Sequence, residues 1–394
     1  GPAQNYMESL FLPIFERVQG DDLSIRVVQF TWGDEAITDS VAAAAAEADI
    51  GYDVRKVLRK PLAPATAAMI AKGAMDVVAL AKKHDIDVLF PRAAIPSAMT
   101  LLAEKMLPDV KVFYDADGFM ADERIEFGGW DPEGFIYRLF RDVEAQICRR
   151  ADSIMTRTQK AKEILVDRVG DPLDPDIIHV IPNAKDVDEF HPGEADDRRK
   201  VREALGVADE APLVIYVGSL GPHYHPGELL EYFEKVWERD ERARLVVLTG
   251  NRDQIDERMH RVSFPEEAMT VTRVAPDEVP AYVAAADVGL AFRAPSFSQL
   301  GVSPIKVGEY LLCGTPVLST AGVGDLDEQL GGRHTGRLLD ELDDDHLAEA
   351  ADWLYDDVVP NRDAYRERCR EVGVDEFGMD ACVRRYRRAF EDCK

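Results

Sequence analysis

Short β-branched runs alternate with longer helical stretches along this chain, and the alternation starts over once. Strand candidates at 24–32, 86–92, 110–118, 152–158 and 177–183 come first; those at 213–220, 243–250, 270–274, 286–292 and 315–320 follow a polar connection, "HPGEADDRRKVREALG". Strand and helix in regular alternation pack as a parallel, doubly wound α/β sheet, because each crossover helix covers one sheet face. A chain of 394 residues exceeds what one core normally serves. The expectation is therefore two α/β domains, 1–192 and 193–364, with a closing helical segment, 365–394, that packs back on the first domain. The opening "GPAQNYMESLFLPIFERV" is a Gly-Pro loop and a helix with no strand before it. Doubly wound domains begin with a strand, so the first strand is expected to be missing.

Charge narrows the function classes. The net charge is −27, and the 47 basic residues divide into 33 Arg and 14 Lys. Phosphate-backbone binding needs clustered positive charge, which excludes nucleic acid as a partner. An acidic, lysine-poor surface suits concentrated salt, where screening removes self-repulsion, so a halophilic source is expected. No apolar run reaches the length of a membrane span and no signal segment opens the sequence, which makes a cytoplasmic location the expectation. The arginine-rich "VRRYRRAF" is read as a solvated helix face, with anionic lipid contact as the alternative. Cys148, Cys313, Cys369, Cys382 and Cys393 are scattered and odd in number, so neither a disulfide framework nor a zinc site is indicated.

One segment, "SPIKVGEYLLCGTPVLST" (303–320), places an acid inside a packing run. Ser303 and Pro304 read as a helix start, the hydroxyl capping free N–H groups and proline wasting none. Gly314 and Pro316 read as the stop, and a buried strand follows. The helix N-terminus then offers N–H groups and a positive dipole end to an anion. Lys306 and Glu309 share a helix face, so a surface ion pair is one reading and a ligand site the other.

Several pieces, spread over nearly the whole chain, resemble the retaining glycosyltransferases of glycosyltransferase family 4. The segment 303–320 resembles the family's donor-site stretch, and "VIPNAKDVDEFHPG" resembles its Pro-Asn-Gly-Val-Asp segment before the domain linker. "LVIYVGSLG" and "EVPAYVAAADVGLAF" resemble the first strand and glycine loop of the donor domain and the helix and strand before the donor loop. "VFYDADGFMADERIEFGGW" is similar to a subgroup with Asp-x-x-Gly-Phe-x-x-Asp-Glu-Arg. The resemblance implies the GT-B architecture, two Rossmann-like domains facing a cleft. It also implies transfer from a nucleoside-diphosphate sugar to a glycan, lipid-linked or small acceptor, without metal or other cofactor. Membrane contact would be at most peripheral, at the inner face.

In that resemblance Glu309 corresponds to the acid on the donor ribose, a task suited to a carboxylate that accepts from two adjacent hydroxyls. The chain also departs from the family. Gly301 stands where a second acid is usual, and Ser219 and Tyr224 stand where an arginine and a lysine are usual. Lys306, helped by the backbone N–H groups of Val302 and Ser303, is the first candidate to meet the diphosphate; Arg293 and Arg252 are the next. Gly218 and Ser219 in the glycine loop, and Arg273 and Val274 at the end of strand 270–274, complete the donor set.

A loose transition state that expels a diphosphate needs positive charge at the leaving group. On the acceptor side, Asp115 and Asp117 of "DADG", Glu123 and Arg124 of "ADER", and Gly1 and Gln4 of the opening loop are the candidates, with Asp117 nearest the reacting sugar. Two carboxylates alone make a poor metal cage, and His223 and His225 lack a visible third ligand, so no metal is assigned. A nucleotide-sugar epimerase of similar architecture and a non-catalytic nucleotide-sugar binder are the rival readings.

Overall fold

In a computed structural model of the chain, residues 6–31, 35–57, 62–221 and 223–393 are described. The strands are β1 (Arg26–Thr31), β2 (Gly51–Lys56), β3 (Val88–Leu89), β4 (Lys111–Asp115), β5 (Ser153–Thr156), β6 (Ile178–Val180), β7 (Leu213–Val217), β8 (Arg244–Leu248), β9 (Met269–Thr272), β10 (Val288–Ala291), β11 (Val317–Thr320) and β12 (Gly336–Leu339). The helices used below are α1 (Gln159–Val169), α2 (Pro226–Arg239), α3 (Ile305–Leu312), α4 (Arg362–Phe377) and α5 (Met379–Glu391). Every pair among the described strands is parallel. This is the pairing that helix crossovers impose, since parallel neighbours need a long connection.

The chain divides into two compact units, Pro2–Pro182 with Cys382–Lys394, and Asn183–Ala381. The expected divisions at 192 and 364 are therefore displaced in both directions. Residues 183–192 belong with the later unit, where Arg366 and Arg370 of α4 hold their carbonyls: Nη2 of Arg366 donates to Pro192 O at 2.6 Å and Nη1 of Arg370 to Phe190 O at 2.6 Å. Helix α4 stays there too, because Gly373 lets its backbone lie on α3: a Cβ at that position would stand 2.6 Å from Leu312 N. Only from Cys382 does the chain rejoin the N-terminal unit. There Tyr386 and Phe390 of α5 enter an aromatic cluster with Phe15, Phe90 and Phe113, with Phe390 edge-on to Phe113 at 4.9 Å.

In the N-terminal unit the described strands form two sheets, β1-β2 and β3-β4-β5-β6. Strand β2 was not among the sequence expectations. Its "GYDVRK" alternates charge with apolar residues, and Asp53 pairs with Arg26 of β1 at 2.7 Å. The second unit is one six-stranded sheet in the order β12-β11-β10-β7-β8-β9. Its chain runs outward from β7 to β9, then returns to β10 beside β7. That reversal opens a crevice at the carboxyl ends of β7 and β10, where ligands of open α/β sheets bind. Strand β12 was likewise missed, being short and only partly buried.

Candidate functional site

Helix α3 is anchored at the reversal by one side chain. Tyr310 is fully buried, accepts from Val217 N at 2.9 Å, and donates to Leu290 O at 3.2 Å. It thus bridges β7 and β10 just beyond their last paired residues, Ile215 and Gly289. A Cβ on Gly289 would come within 2.6 Å of the Tyr310 ring, so glycine is required for this fit. Anchoring at Tyr310 fixes the start of α3 beside the end of β7.

Lys306, in the first turn of α3, points into that corner. Its ammonium is buried and, among the described residues, has no hydrogen-bond partner. It stands over the faces of Tyr216 at 3.9 Å and Tyr224 at 4.7 Å. It also lies 3.6 Å from where a Cβ on Gly218 would be. Gly218 has φ of +121°, open to glycine at no steric cost, so the loop's backbone passes directly over the lysine. Burial holds the ammonium well below the usual lysine range, the neighbouring Arg293 adds to the effect, and Glu309 opposes it. Aromatic faces attract a cation but replace only part of its lost hydration. Arg293 shares the corner: its guanidinium lies 5.1 Å from the Tyr224 ring, and its Nε donates to Gln299 Oε1 at 2.6 Å. Two cations therefore converge on one tyrosine, at the residue where the family resemblance would place a lysine.

Glu309 does not pair with Lys306. Its Oε1 lies 3.0 Å from Nζ of Lys185, and both side chains are largely buried. Lys185 belongs to "IPNAKD", and two residues earlier Asn183 Nδ2 donates to Ser303 O at 2.7 Å. The linker segment and the donor segment, separate resemblances in sequence, are thus joined in space. The surface-pair reading of Lys306 and Glu309 is overturned by burial of the one and by a different partner for the other.

Other expectations also change. Ser303 does not cap the helix; Pro304 occupies the N-cap with no side-chain cap, and the Ser303 hydroxyl accepts from Asn183 N at 3.4 Å. The Val302 N–H is spent on Gln299 O at 3.1 Å, because the preceding turn is a 3₁₀ helix, so it is not available to an anion. Arg252 lies on the surface, pairing with Asp256 at 3.3 Å and reaching Val271 O. Arg273 is exposed, with its guanidinium over Gly250 at the end of β8, while Val274 packs on the core. Ser219 is exposed, and its carbonyl accepts from the Tyr216 hydroxyl at 2.8 Å.

A cavity of about 670 Å³ opens behind the glycine loop, lined among others by Leu220, Gly221, His225, Asn251, Arg258 and Arg261. It does not include Lys306 or Glu309. His223 and His225 are not part of the one group of acids and imidazoles, Glu341, Asp343 and His346, that among the described residues lies close enough to hold a metal ion.

In the N-terminal unit, Asp115 ends β4 and Asp117 lies just beyond it, and two arginines face them. Buried Asp115 accepts from Arg92 at 2.8 Å and from buried Arg157 at 3.0 Å, and its other oxygen accepts from Asp117 N at 3.1 Å. Asp117 pairs with Arg92, and its backbone sits at φ +41°, a left-handed geometry that costs a non-glycine residue energy. Burial and then the Asp115 charge push the Asp117 carboxyl up, opposed by Arg92 and Arg157. Burial works against the Arg157 charge, but Asp115, then Tyr386 and Asp117, more than offset it and hold the guanidinium protonated. Glu123 and Arg124 are exposed on the helix Met120–Glu126, apart from this network. Their neighbour Asp122 is the buried acid, held by Arg168 at 2.9 Å through both oxygens. Gly1 and Gln4 lie outside the described residues. Arg92, Arg157 and Lys185 were missed because an isolated basic residue in a sequence carries no sign of what it will face.

The family model described as "Glycosyl transferases group 1" matches residues 197–372, inside the second unit. Among curated proteins, D-inositol 3-phosphate glycosyltransferase of Nocardia farcinica is 29% identical over 241 residues, covering 59% of this chain and 49% of that protein. The chain spans about half the length of the curated relatives it matches first. Among solved structures, a glycosyltransferase from Rickettsia africae superposes with a TM-score of 0.74 at 14% identity, covering 99% of this chain and 94% of that one. HepE of Anabaena, in complex with UDP and glucose, gives 0.68 at 17% identity, covering 99% and 96%. These neighbours share the GT-B fold.

Proposed function

Because residues 197–372 belong to the glycosyl transferases group 1 family, we propose that the chain moves a sugar from a nucleoside-diphosphate sugar to an acceptor hydroxyl, with retention of configuration. The observation that carries this reading is the buried ammonium of Lys306, without a hydrogen-bond partner among the described residues, beside Gly218 at the start of α3. A diphosphate at that corner would meet Lys306, Arg293 and the first N–H groups of α3, replacing hydration the lysine has lost. In this role Lys306, approaching from α3 across the Tyr224 ring, does the work of the absent loop lysine. Charge aimed at a leaving group in a site from which water is excluded is the largest lever on such a reaction. Glu309 takes the ribose hydroxyls and is held in place by Lys185 until they arrive. Asp117 is the acceptor-side residue, and no metal is required.

A family of transferases, with curated relatives named for transfer, supports this over epimerisation. The test is incubation with UDP-, GDP- and ADP-sugars, with and without sugar-phosphate and lipid-phosphate acceptors, following nucleotide release and product anomeric configuration. Acceptor-dependent release with a retained anomeric centre is the expected result. An isomerised donor formed without acceptor, or binding without turnover on any acceptor, would contradict it.

No described helix is long and apolar enough to cross a membrane. The proposed setting is the cytoplasm, with at most peripheral membrane contact. The charge of −27 supports operation in concentrated salt, and melting curves that do not rise with salt would remove that part of the proposal.

A further inference from the structure

The closing run "VRRYRRAF" places four arginines on α5, and the structure sends them to different places. Arg387 is engaged: its Nη2 donates to Gln19 O at 2.7 Å, and its Nη1 lies 3.4 Å from Asp22. Arg384 is exposed. Arg385 and Arg388, three residues apart and so on one helix face, line a cavity of about 350 Å³ with Lys162 of α1, Asp176, and all three residues of β6. Strand β6 is the edge of its sheet, bonded to β5 alone among the described strands.

This cavity carries three cations against one carboxylate, in a chain whose net charge is −27. Lys162 is fixed to the wall by donating to Ile178 O at 2.9 Å. Arg388 is exposed and, among the described residues, forms no salt bridge. His179 contributes an imidazole whose Nε2 is buried and stands 3.2 Å from Asp392, without hydrogen-bond geometry. Burial lowers the His179 pKa first; Asp392 opposes it as the largest charge contribution, and Arg388 and Lys162 add smaller lowering effects.

We propose that this cavity between α1, β6 and α5 binds a phosphate group, as a phosphomonoester or diphosphate carried by a soluble molecule or by a lipid headgroup. Guanidinium forks match phosphate oxygens in pairs and a lysine adds a compact charge, so Arg385, Arg388 and Lys162 form a chemically suitable set. The volume also accommodates a glycerol- or sugar-sized remainder. The site lies wholly within the N-terminal unit and does not depend on the transferase reading.

The test is calorimetric titration of the full chain with inorganic pyrophosphate and with glycerol 3-phosphate, at saturating UDP and again in Lys306→Met, so that the donor corner is silent. Binding that Arg388→Gln weakens about tenfold, while Arg384→Gln leaves it unchanged, is the expected result. Sedimentation with phosphatidylcholine vesicles, with and without phosphatidylglycerol, separates the sources. Arg388-dependent capture by the anionic vesicles assigns the phosphate to a headgroup; binding of the soluble probes alone assigns it to a soluble ligand. Absence of both, or equal losses in Arg388→Gln and Arg384→Gln, overturns the proposal. Both arginines reach solvent on a helix whose apolar side is already packed, and an unchanged melting temperature in each variant confirms that the fold is intact.

Discussion

Two corners of this molecule have similar ingredients and opposite electrostatics. After β4, Asp115 and Asp117 meet Arg92 and Arg157, every one of these side chains facing an opposite charge. After β7, Lys306 and Arg293 meet two tyrosines, and the lysine ammonium is buried with no hydrogen-bond partner among the described residues. Each corner contains a residue in left-handed backbone geometry, Asp117 or Gly218. The first corner sets every charge against an opposite one, with only Arg157 Nε left without a hydrogen-bond partner among the described residues, so removing a partner should damage the fold. The second is electrostatically unmet, so removing its charge should relieve the fold and damage binding.

The largest expected effect is in the paired corner. Asp115→Asn leaves buried Arg157 without its hydrogen-bonded counter-charge, facing only Asp117 at 3.7 Å, and loss of one member of a buried pair costs about 3–5 kcal/mol. The unfolding transition of the N-terminal unit should therefore fall steeply in a thermal melt. An unchanged melt would show that solvent reaches Arg157, and the contrast between the corners would fail.

Lys306→Met is expected to act in the opposite direction. Without ligand it should raise the melting temperature, by about 2–4 °C for each kcal/mol of desolvation relieved. It should also weaken nucleoside-diphosphate binding by about 10- to 100-fold, the worth of a charge-assisted hydrogen bond.

The same substitution carries a pH signature. The folded-state pKa of Lys306 lies below its ordinary value, so between the two the unfolded chain binds the extra proton and stability rises with pH. Below the depressed pKa the penalty is fully present. The stability gap between Lys306→Met and the parent should accordingly narrow as pH rises from that depressed value towards about 10.4. A gap that is constant with pH would mean an ordinarily solvated lysine.

The smallest effect is expected at Arg252. Its pairs are exposed, and Arg252→Ala should change stability by less than about 0.5 kcal/mol and leave nucleotide affinity unaltered. A clear loss of affinity would move the diphosphate towards β8 and away from Lys306.

The parts of this arrangement legible in sequence were those with local causes. Strand and helix alternation produced both units, and Gly314 with Pro316 marked the end of α3, where Gly314 adopts φ +74°. Glu309 and Lys306 stood out as charges inside a packing run. Their partners did not, because partnership is a tertiary fact: Lys185 and the rings of Tyr216 and Tyr224 come from segments about 80 to 120 residues away. The Ser303 cap failed for a related reason. Asn183 competes for that serine with backbone and side-chain donors from across the unit, and such a donor outweighs a local capping preference. The boundary at 192 failed because the arginines of α4 claim the carbonyls of the linker, which a break in composition does not reveal.

The most direct test of the account is proton uptake on UDP binding, measured by isothermal titration in buffers of different ionisation enthalpy. At about pH 8 a phosphate with its second pKa near 6 is fully ionised, so the ligand contributes little. Measured from about pH 8 up towards about 10.4, the parent should take up more protons for each UDP bound than Lys306→Met, because a diphosphate restores the charge that burial disfavours. Equal uptake in both proteins, or tight binding that the substitution leaves intact, would show that Lys306 does not meet the diphosphate.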